Sequence, residues 1–470
     1  MPQNSDLINQ MMHLLDLHRN VFGQERVYLR ALVLVLGELF AFKGYRVTDL
    51  LRVLGLVAED WTAWYRMYQR PKRFMEELAG RVMLGQTLRH VSASEPYVIG
   101  VDCTQVARDS QRMEGTSWLK NPRNPPWRVG IHRGQRFLNG SWLTPLSAGF
   151  SRAIPLRWLA AFPEKAVLKA HEALKEQVAG VQFVQWVHSQ LAAYGRSSQP
   201  ILCLADGSYD KPDFWRGLPS GVTALVRTAK NRALCHLPGP YSGKGRHRLY
   251  GERVPAPQDY NSQRDGWKTT ALTVRGHQRR TVYRVEGPFL RRPMSDIPLF
   301  LICVRGQTWQ HGHKKKRREP VFYLVNAIQR NTQWCLPFPI HLLLTWAWQR
   351  WELEVVHREV KSLFGLGDKQ CHHPHAAVTS VQWSAWLYGL LCLAAYRTFH
   401  LPTPPLITPA WYPKPRRWTF SNLLDTCRAD LWTDPDFRAI LSASPKNWPK
   451  LEALLARYCL NRRLQLEPAA

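Results

Sequence analysis

At 470 residues the chain exceeds one ordinary domain, so roughly two to four units are expected. Apolar residues make up 45% and charged residues 21%, enough for a normal buried core, which excludes global disorder. With 64 Lys and Arg against 35 Asp and Glu, the net charge of +29 speaks to partners rather than to fold. That charge is spread along most of the chain and interleaved with 20 Trp and 16 Tyr, which favours a nucleic-acid backbone over lipid headgroups.

The first residues, MPQNSDLINQMM, have no basic stretch leading into an apolar one, so no signal peptide is expected. Two apolar runs, 32–41 and Val381 to Tyr396, fall short of the ~20 residues of a membrane span and read as core helices. Nine Cys are scattered without a C-x-x-C pair, which argues against a zinc ribbon or a disulfide scaffold. A reducing cytoplasm is the expected compartment.

Residues 1 to 94 are predicted helical, with apolar residues at helical spacing from Leu7 to Leu17 and from Val27 to Phe42. Thr48-Asp49 caps a short helix, and an amphipathic segment from Trp61 to Val91 carries Arg66, Arg70, Lys72 and Arg73 beside Trp64, Tyr65 and Tyr68. A helical DNA-binding domain has this composition, and so does a plain helical bundle.

The character changes at Pro96. YVIGVD (97–102) is a continuous apolar strand ending in an acid, PILCLADGSYD (200–210) repeats the design, and GVTALVRTAKN (221–231) leaves a third strand into basic residues. A helix from Lys165 to Tyr194 lies between them, and the alternation predicts an α/β layered unit over 95–233. From 234 to 338 the pattern becomes β-rich: TTALTVRG, RTVYRVEG, LFLICVRG and PVFYLVNAI are strand-like. The densest basic loops lie there too, at 244–248, Arg279-Arg280, Arg291-Arg292 and Lys314 to Arg318. Helical character returns over 339–400, and a C-terminal helical segment fills 401–470 after a Pro-rich connector.

Three carboxylates stand out by position. Asp102 and Asp206 each end an apolar run, where a functional side chain is held on rigid scaffold at a sheet's edge. Either Asp taken alone also reads as the start of a turn, and Asp206-Gly207 is a common turn dipeptide. On a helical wheel at ~100° per residue, Arg350 and Lys361 fall within ~40° of Glu354, with His357 and Arg358 flanking. Leu353, Val356, Val360, Leu363 and Phe364 cluster opposite, although Glu352 and Glu359 interrupt that apolar side. An Arg/Glu pair four residues apart is common on any surface helix. Strongly apolar flanks place this stripe at a cleft instead. Three acids with Arg and Lys beside them suit two-metal phosphoryl transfer, in which carboxylate oxygens hold Mg²⁺ or Mn²⁺ ions ~3.5–4 Å apart.

The chain resembles DDE transposases of bacterial insertion sequences, in the branch with a β-rich insertion and the signature Tyr-x2-Arg-x3-Glu-x6-Lys. Arg350, Glu354 and Lys361 match its last three positions, while Ala347, flanked by Trp346 and Trp348, stands in the Tyr position. VDCTQVARD (101–109), ADGSYD (205–210) with RTAKNR (227–232), and FGLGDKQ (364–370) are similar to the family's other segments. The resemblance spans Pro96 to Tyr396. It implies an RNase H-like catalytic core with an N-terminal helical domain and a β-rich insertion before the catalytic Glu. It implies Asp102, Asp206 and Glu354 as catalytic, metal-holding residues for two Mg²⁺ or Mn²⁺ ions. Expected DNA contacts are Arg350, Lys361, Arg227, Lys230, Lys314, Lys315, Lys316, Arg317 and Arg318. Expected partners are double-stranded DNA, namely terminal inverted repeats and target, bound by a homodimer without a membrane, in a bacterial nucleoid-associated setting. A standalone RNase H-like nuclease and a non-cleaving DNA-binding relative are the alternatives.

Asp109 and Asp210 are substitutes for the first two acids. Cys371, His372, His373 and His375 are ligand types without a standard zinc spacing, and Cys103 reads as a packing thiol. Trp309 is placed to stack on an unpaired base.

Overall fold

Runs that are apolar on both faces become the centre of one sheet, and the rest of the molecule is arranged around it. The computed structural model describes residues 6–42, 44–58, 60–121, 130–241, 243, 245–311, 314–402 and 417–433. Five helices come first: α1 (Asp6–Leu17), α2 (Glu25–Phe40), α3 (Val47–Val53), α4 (Trp61–Gln69) and α5 (Glu76–Thr87). The stretch expected as one amphipathic segment from Trp61 to Val91 is broken at Pro71. Proline has no N–H to give and pushes the preceding residue out of the helical region, so α4 stops at Gln69.

The next elements are β1 (Tyr97–Ala107), β2 (Ser117–Lys120), β3 (Ile131–Leu143), β4 (Ala153–Ala160), α6 (Glu176–Ala193), β5 (Ile201–Ala205), α7 (Pro212–Gly217) and β6 (Val222–Arg227). The helix expected from Lys165 begins only at Glu176. The reason lies in Glu114, fully buried, whose carboxylate accepts the backbone N–H groups of Lys169, Ala170 and His171 at 2.8–3.0 Å. Those donors serve a buried acid, so the segment cannot close a helical turn.

There follow β7 (Leu234–His236), β8 (Lys268–Val274), β9 (His277–Arg291), β10 (Leu299–Val304), β11 (Gln307–His311), β12 (Lys314–Arg318), β13 (Val321–Asn326), β14 (Ile328–Arg330) and β15 (Gln333–Cys335). Four helices complete the described chain: α8 (Ile340–Gln349), α9 (Trp351–Leu363), α10 (Pro374–Phe399) and α11 (Phe420–Thr433).

Eleven strands form a single mixed sheet. Its centre is parallel: β1 beside β5, and β5 beside β6. On one side β3 runs antiparallel to β1 and carries β2 and β4 on its outer edge. On the other side β13, β10 and β9 continue the sheet antiparallel from β6, with β7 and β8 both on β9. The β-rich residues 234–338 therefore extend the same sheet as the acid-bearing strands. β11–β12 and β14–β15 are separate two-stranded ribbons.

Helices cover both faces of the centre, as parallel strands require. Close approach depends on two glycines. A Cβ at Gly140 of β3 would lie 2.4 Å from Phe183 of α6, and one at Gly100 of β1 would lie 2.8 Å from Leu353 of α9. α10 packs against α1, α4, α5, α9, α11 and β4. It is long and apolar enough to cross a membrane, but 89% of its apolar window is buried inside the fold. Phe22 and Phe74 meet Trp383 edge to face, and Phe22 meets Trp386 in the same way. The buried Glu38 is matched by Lys369 at 2.8 Å and by the indole N–H of Trp383 at 2.7 Å.

Candidate active site

The parallel register decides where the two aspartates go. Val101 of β1 pairs with Ala205 of β5, so the next residues, Asp102 and Asp206, lie side by side. Neighbouring strands are ~4.8 Å apart. Only Asp206 lies at a strand end: β1, expected to stop at Asp102, runs on to Ala107 because β3 continues to pair with it. Asp206 then opens a single 3-10 turn, Gly207–Tyr209, and its Oδ1 accepts the backbone N–H of Ser208 at 2.8 Å.

Glu354 reaches the same place from α9. Leu353 seats on Gly100, and side chains two residues apart on a strand share a face, so Asp102 and Thr104 also face this helix. One stripe of α9 meets them in order. Arg350, at the junction of α8 and α9, lies 3.8 Å from Asp102 Oδ2 and donates to Glu354 Oε1 at 2.7 Å. His357 Nδ1 is 4.0 Å from Asp102 Oδ2, and Lys361 Nζ donates to Thr104 Oγ1 at 2.6 Å. Asn139, opposite Asp102 on β3, donates its amide to His357 Nε2 at 3.2 Å, which leaves the ring's hydrogen on Nδ1, toward Asp102. Burial, with Lys361 and Arg350 nearby, pushes the His357 pKa down to about 3, so the ring is neutral.

The carboxylates are poorly compensated. Asp102 is pushed up to about 7, first by burial and then by the charges of Asp206, Glu354 and Glu176, which Arg350 only partly offsets. These are hard oxygen donors, a donor chemistry that fits Mg²⁺ or Mn²⁺. Among the described residues, however, no three His, Cys, Asp or Glu side chains close round one point. Arg350 stands between Asp102 and Glu354, so Glu354 must part from the guanidinium before it can join the aspartates on an ion.

Clefts lead away from the acids. One, of about 670 Å³, is lined by Glu354, His357, Arg358 and Lys361 with Thr104 and Gln105 of β1. A second, of about 780 Å³, begins at Gly207 and passes Arg227, Lys230 and Arg317. A third, of about 470 Å³, brings Arg227, Arg275, Arg279, Arg305, Arg317, Arg318 and Arg350 around Trp348. Glu319 is the one acid on its wall, paired with Arg317 at 3.2 Å. The Arg318 guanidinium sits 3.6 Å from the Trp348 ring centre, and burial and Arg279 hold it below its ordinary pKa. Of the tryptophans flanking Ala347, Trp346 is core and Trp348 faces this cavity. Arg227, Lys230, Lys316 and Arg317 are exposed. Lys314 and Lys315 lie on β12, while their side chains and that of Trp309 fall outside the described residues, as do Lys244 and most of 401–470.

The other sequence candidates have ordinary roles. Asp210 is wholly buried: Arg291 and Arg232 each reach it at 2.6 Å, Thr228 donates at 2.6 Å, and the Trp215 indole at 3.4 Å. Asp109 is exposed beyond the end of β1. Glu352 and Glu359, which break the apolar side of α9, are buried and matched. Arg417 grips Glu352 with two bonds of 2.8 Å, while Arg152 and Tyr388 hold Glu359. Cys371 is buried, His372 and His373 are exposed, and His375 meets the His171 ring edge to face. Cys103 lies against Tyr209, and burial drives its thiol far above the ordinary range, which disfavours the reactive thiolate. Sequence reasoning passed over Asn139 and Glu176, both at the acids. No local spacing signals either, because each is brought there by a distant strand or helix.

No family model matches the chain, and no curated protein matches it. Among solved structures it is similar to one described as the cryo-EM structure of piggyBac transposase synaptic complex with hairpin DNA. The identity is 9% and the TM-score 0.39, over 93% of this chain and 76% of that one.

Proposed function

We propose that the chain is a DDE-type DNA transposase with an RNase H-like core, cutting DNA at element ends and joining them to a target. One observation carries the reading. Asp102 and Asp206 follow the last parallel pair of two adjacent strands, Asp102 within β1 and Asp206 just past β5, and Arg350 at the start of α9 bridges Asp102 and Glu354. The Arg350, Glu354 and Lys361 spacing, which resembles that of insertion-sequence transposases, adds to it.

Asp102, Asp206 and Glu354 are the residues proposed to hold two Mg²⁺ or Mn²⁺ ions, which when bound supply an activated water and shield the charge of the scissile phosphate. The chain's own groups do the rest. Arg350, released from Glu354, is free to fork onto a phosphate. Lys361, anchored on Thr104, brings positive charge to one side of the acids, and Arg227, Lys230 and Arg317 bring it to the other. A DNA backbone running past the acids then meets cations on both sides. His357, neutral and held by Asn139, carries its N–H toward Asp102 and adds no charge to the cluster. A homodimer bridging two element ends belongs to the same proposal.

The test is cleavage of a supercoiled plasmid carrying the element's two ends, in Mg²⁺. Wild type is expected to nick and then join the ends, and Glu354→Gln to do neither. Equal cutting by the two proteins would falsify the assignment.

A further inference from the structure

The acidic cluster has a fourth member. Asp206 Oδ1 takes two hydrogen bonds from one residue, the Ser208 backbone N–H at 2.8 Å and the Ser208 hydroxyl at 2.7 Å. The same hydroxyl is bonded to Oε1 of Glu176, the first residue of α6. Arg136 of β3 donates to the other Glu176 oxygen at 3.3 Å, and Gln177 donates to the Ser208 carbonyl at 2.9 Å. The first turn of α6 therefore grips the turn after β5 through two consecutive side chains. Glu176 is buried enough, at 14% side-chain exposure, for these bonds to be shielded from water.

This arrangement has consequences for Asp206. A carboxylate at a strand end rotates about two soft torsions unless something pins it. Here Oδ1 is pinned by both Ser208 donors, and among the described residues Oδ2 has no protein donor. Ser208 in turn owes its place to Glu176 and Gln177. A hydroxyl has a single hydrogen, so bonding to two carboxylates requires that one of them hold a proton. Glu176 suits that part, since burial and the charge of Asp206 raise its carboxyl.

We propose that Glu176 is a positioning residue of this site, fixing the Asp206 carboxylate through the Ser208 hydroxyl. The inference rests on the strand-cleavage reading and names a residue which that reading does not contain. Glu176 acts on Asp206 and not on the DNA, so its loss should slow turnover and leave substrate binding alone.

The experiment measures cleavage of a duplex carrying one element end, as kcat and KM, together with Mn²⁺ binding to the DNA-free protein by calorimetry. Glu176→Ala and Ser208→Ala should each lower kcat on the order of 10- to 100-fold with KM unchanged, and each should weaken Mn²⁺ binding. The double variant should be no worse than either single one, because both break the same link. Glu176→Gln retains an N–H to give the Ser208 oxygen and should recover most of the rate. Thermal melts guard against misfolding, and Ser208→Ala, the smaller excision, carries the test if Glu176→Ala does not fold. If Asp206→Asn is inactive while Glu176→Ala and Ser208→Ala cut and bind Mn²⁺ like wild type, the positioning role is overturned and the cleavage reading stands. If Asp206→Asn itself cuts like wild type, both fall.

Discussion

Asp206 and Asp210 stand four residues apart, on either side of one 3-10 turn, and their surroundings are opposite. Asp210 is enclosed by two guanidinium groups, a hydroxyl and an indole N–H. The Asp206 carboxylate bonds only to Ser208 among the described residues and shares its neighbourhood with three other acids. The same contrast runs along α9. Glu352 and Glu359 are buried against Arg417 and Arg152, whereas Glu354 is half-exposed with Arg350 beside it. The frame acids are neutralised within the fold. The central acids are less fully matched, an imbalance of the kind that clusters at functional sites.

Breaking each side of this contrast should give different failures. Asp206→Asn is expected to lower end cleavage at least on the order of 10³-fold while the fold survives. Asp210→Ala leaves Arg291 buried without its partner, which typically costs about 3–5 kcal/mol. It should appear as a lower urea midpoint of unfolding, with any loss of activity following the loss of folded protein. Were the two substitutions to exchange phenotypes, Asp210 would be the second acid of the site and Asp206 the structural one.

This contrast was only partly legible in the sequence. β1 and β5 could be read because parallel strands buried on both faces appear as unbroken apolar runs, and the acids that close those runs stand out against them, although β1 itself continues past Asp102 to Ala107. The Arg350, Glu354 and Lys361 stripe was legible because helical spacing is local. β3 and β4 were not singled out. β3 buries Gln135, Asn139 and Ser141, which look like loop residues until Arg108, His357 and each other supply their partners. Glu352 and Glu359 read as flaws in an apolar face because their partners lie 65 and 207 residues away. Asp206 could be ranked above Asp210 by its place at the strand end, but the distant partners that enclose Asp210, Thr228, Arg232 and Arg291, were not legible.

The imbalance should also be measurable without DNA. Asp102 has a folded-state pKa near 7, against 3.8 in an unfolded chain. Between those values the folded state holds the extra proton, so this group's contribution to stability falls as pH rises and is fully unfavourable above pH 7. About three units correspond to at most ~4 kcal/mol. In EDTA, Asp102→Asn should therefore be more stable than wild type at pH 8, with the difference vanishing toward pH 4. Added Mg²⁺ should raise the urea midpoint of wild type and leave that of Asp102→Asn nearly unmoved. A wild-type midpoint insensitive to Mg²⁺ would mean that the acids do not hold the ion.

The smallest effect concerns the cations at the far side of the acids. Arg227, Lys230 and Arg317 are exposed, and the ion pair that Arg317 makes with Glu319 has both side chains over 70% exposed. Pairs of that kind contribute little to stability. Replacing all three residues by Gln should hence leave unfolding unchanged, so that any change in DNA binding reports their own meeting with the DNA. Removing a cation that sits on a phosphate should flatten the slope of log K against log salt by about 0.9, close to 3 for the triple variant. The slope separates direct neutralisation of phosphates from indirect damage, because a distorted site loses affinity at every salt concentration while keeping its slope. An unchanged slope with weakened binding would put the DNA path elsewhere, along the cleft of Arg358 and Lys361, and leave this wall of the sheet facing solvent.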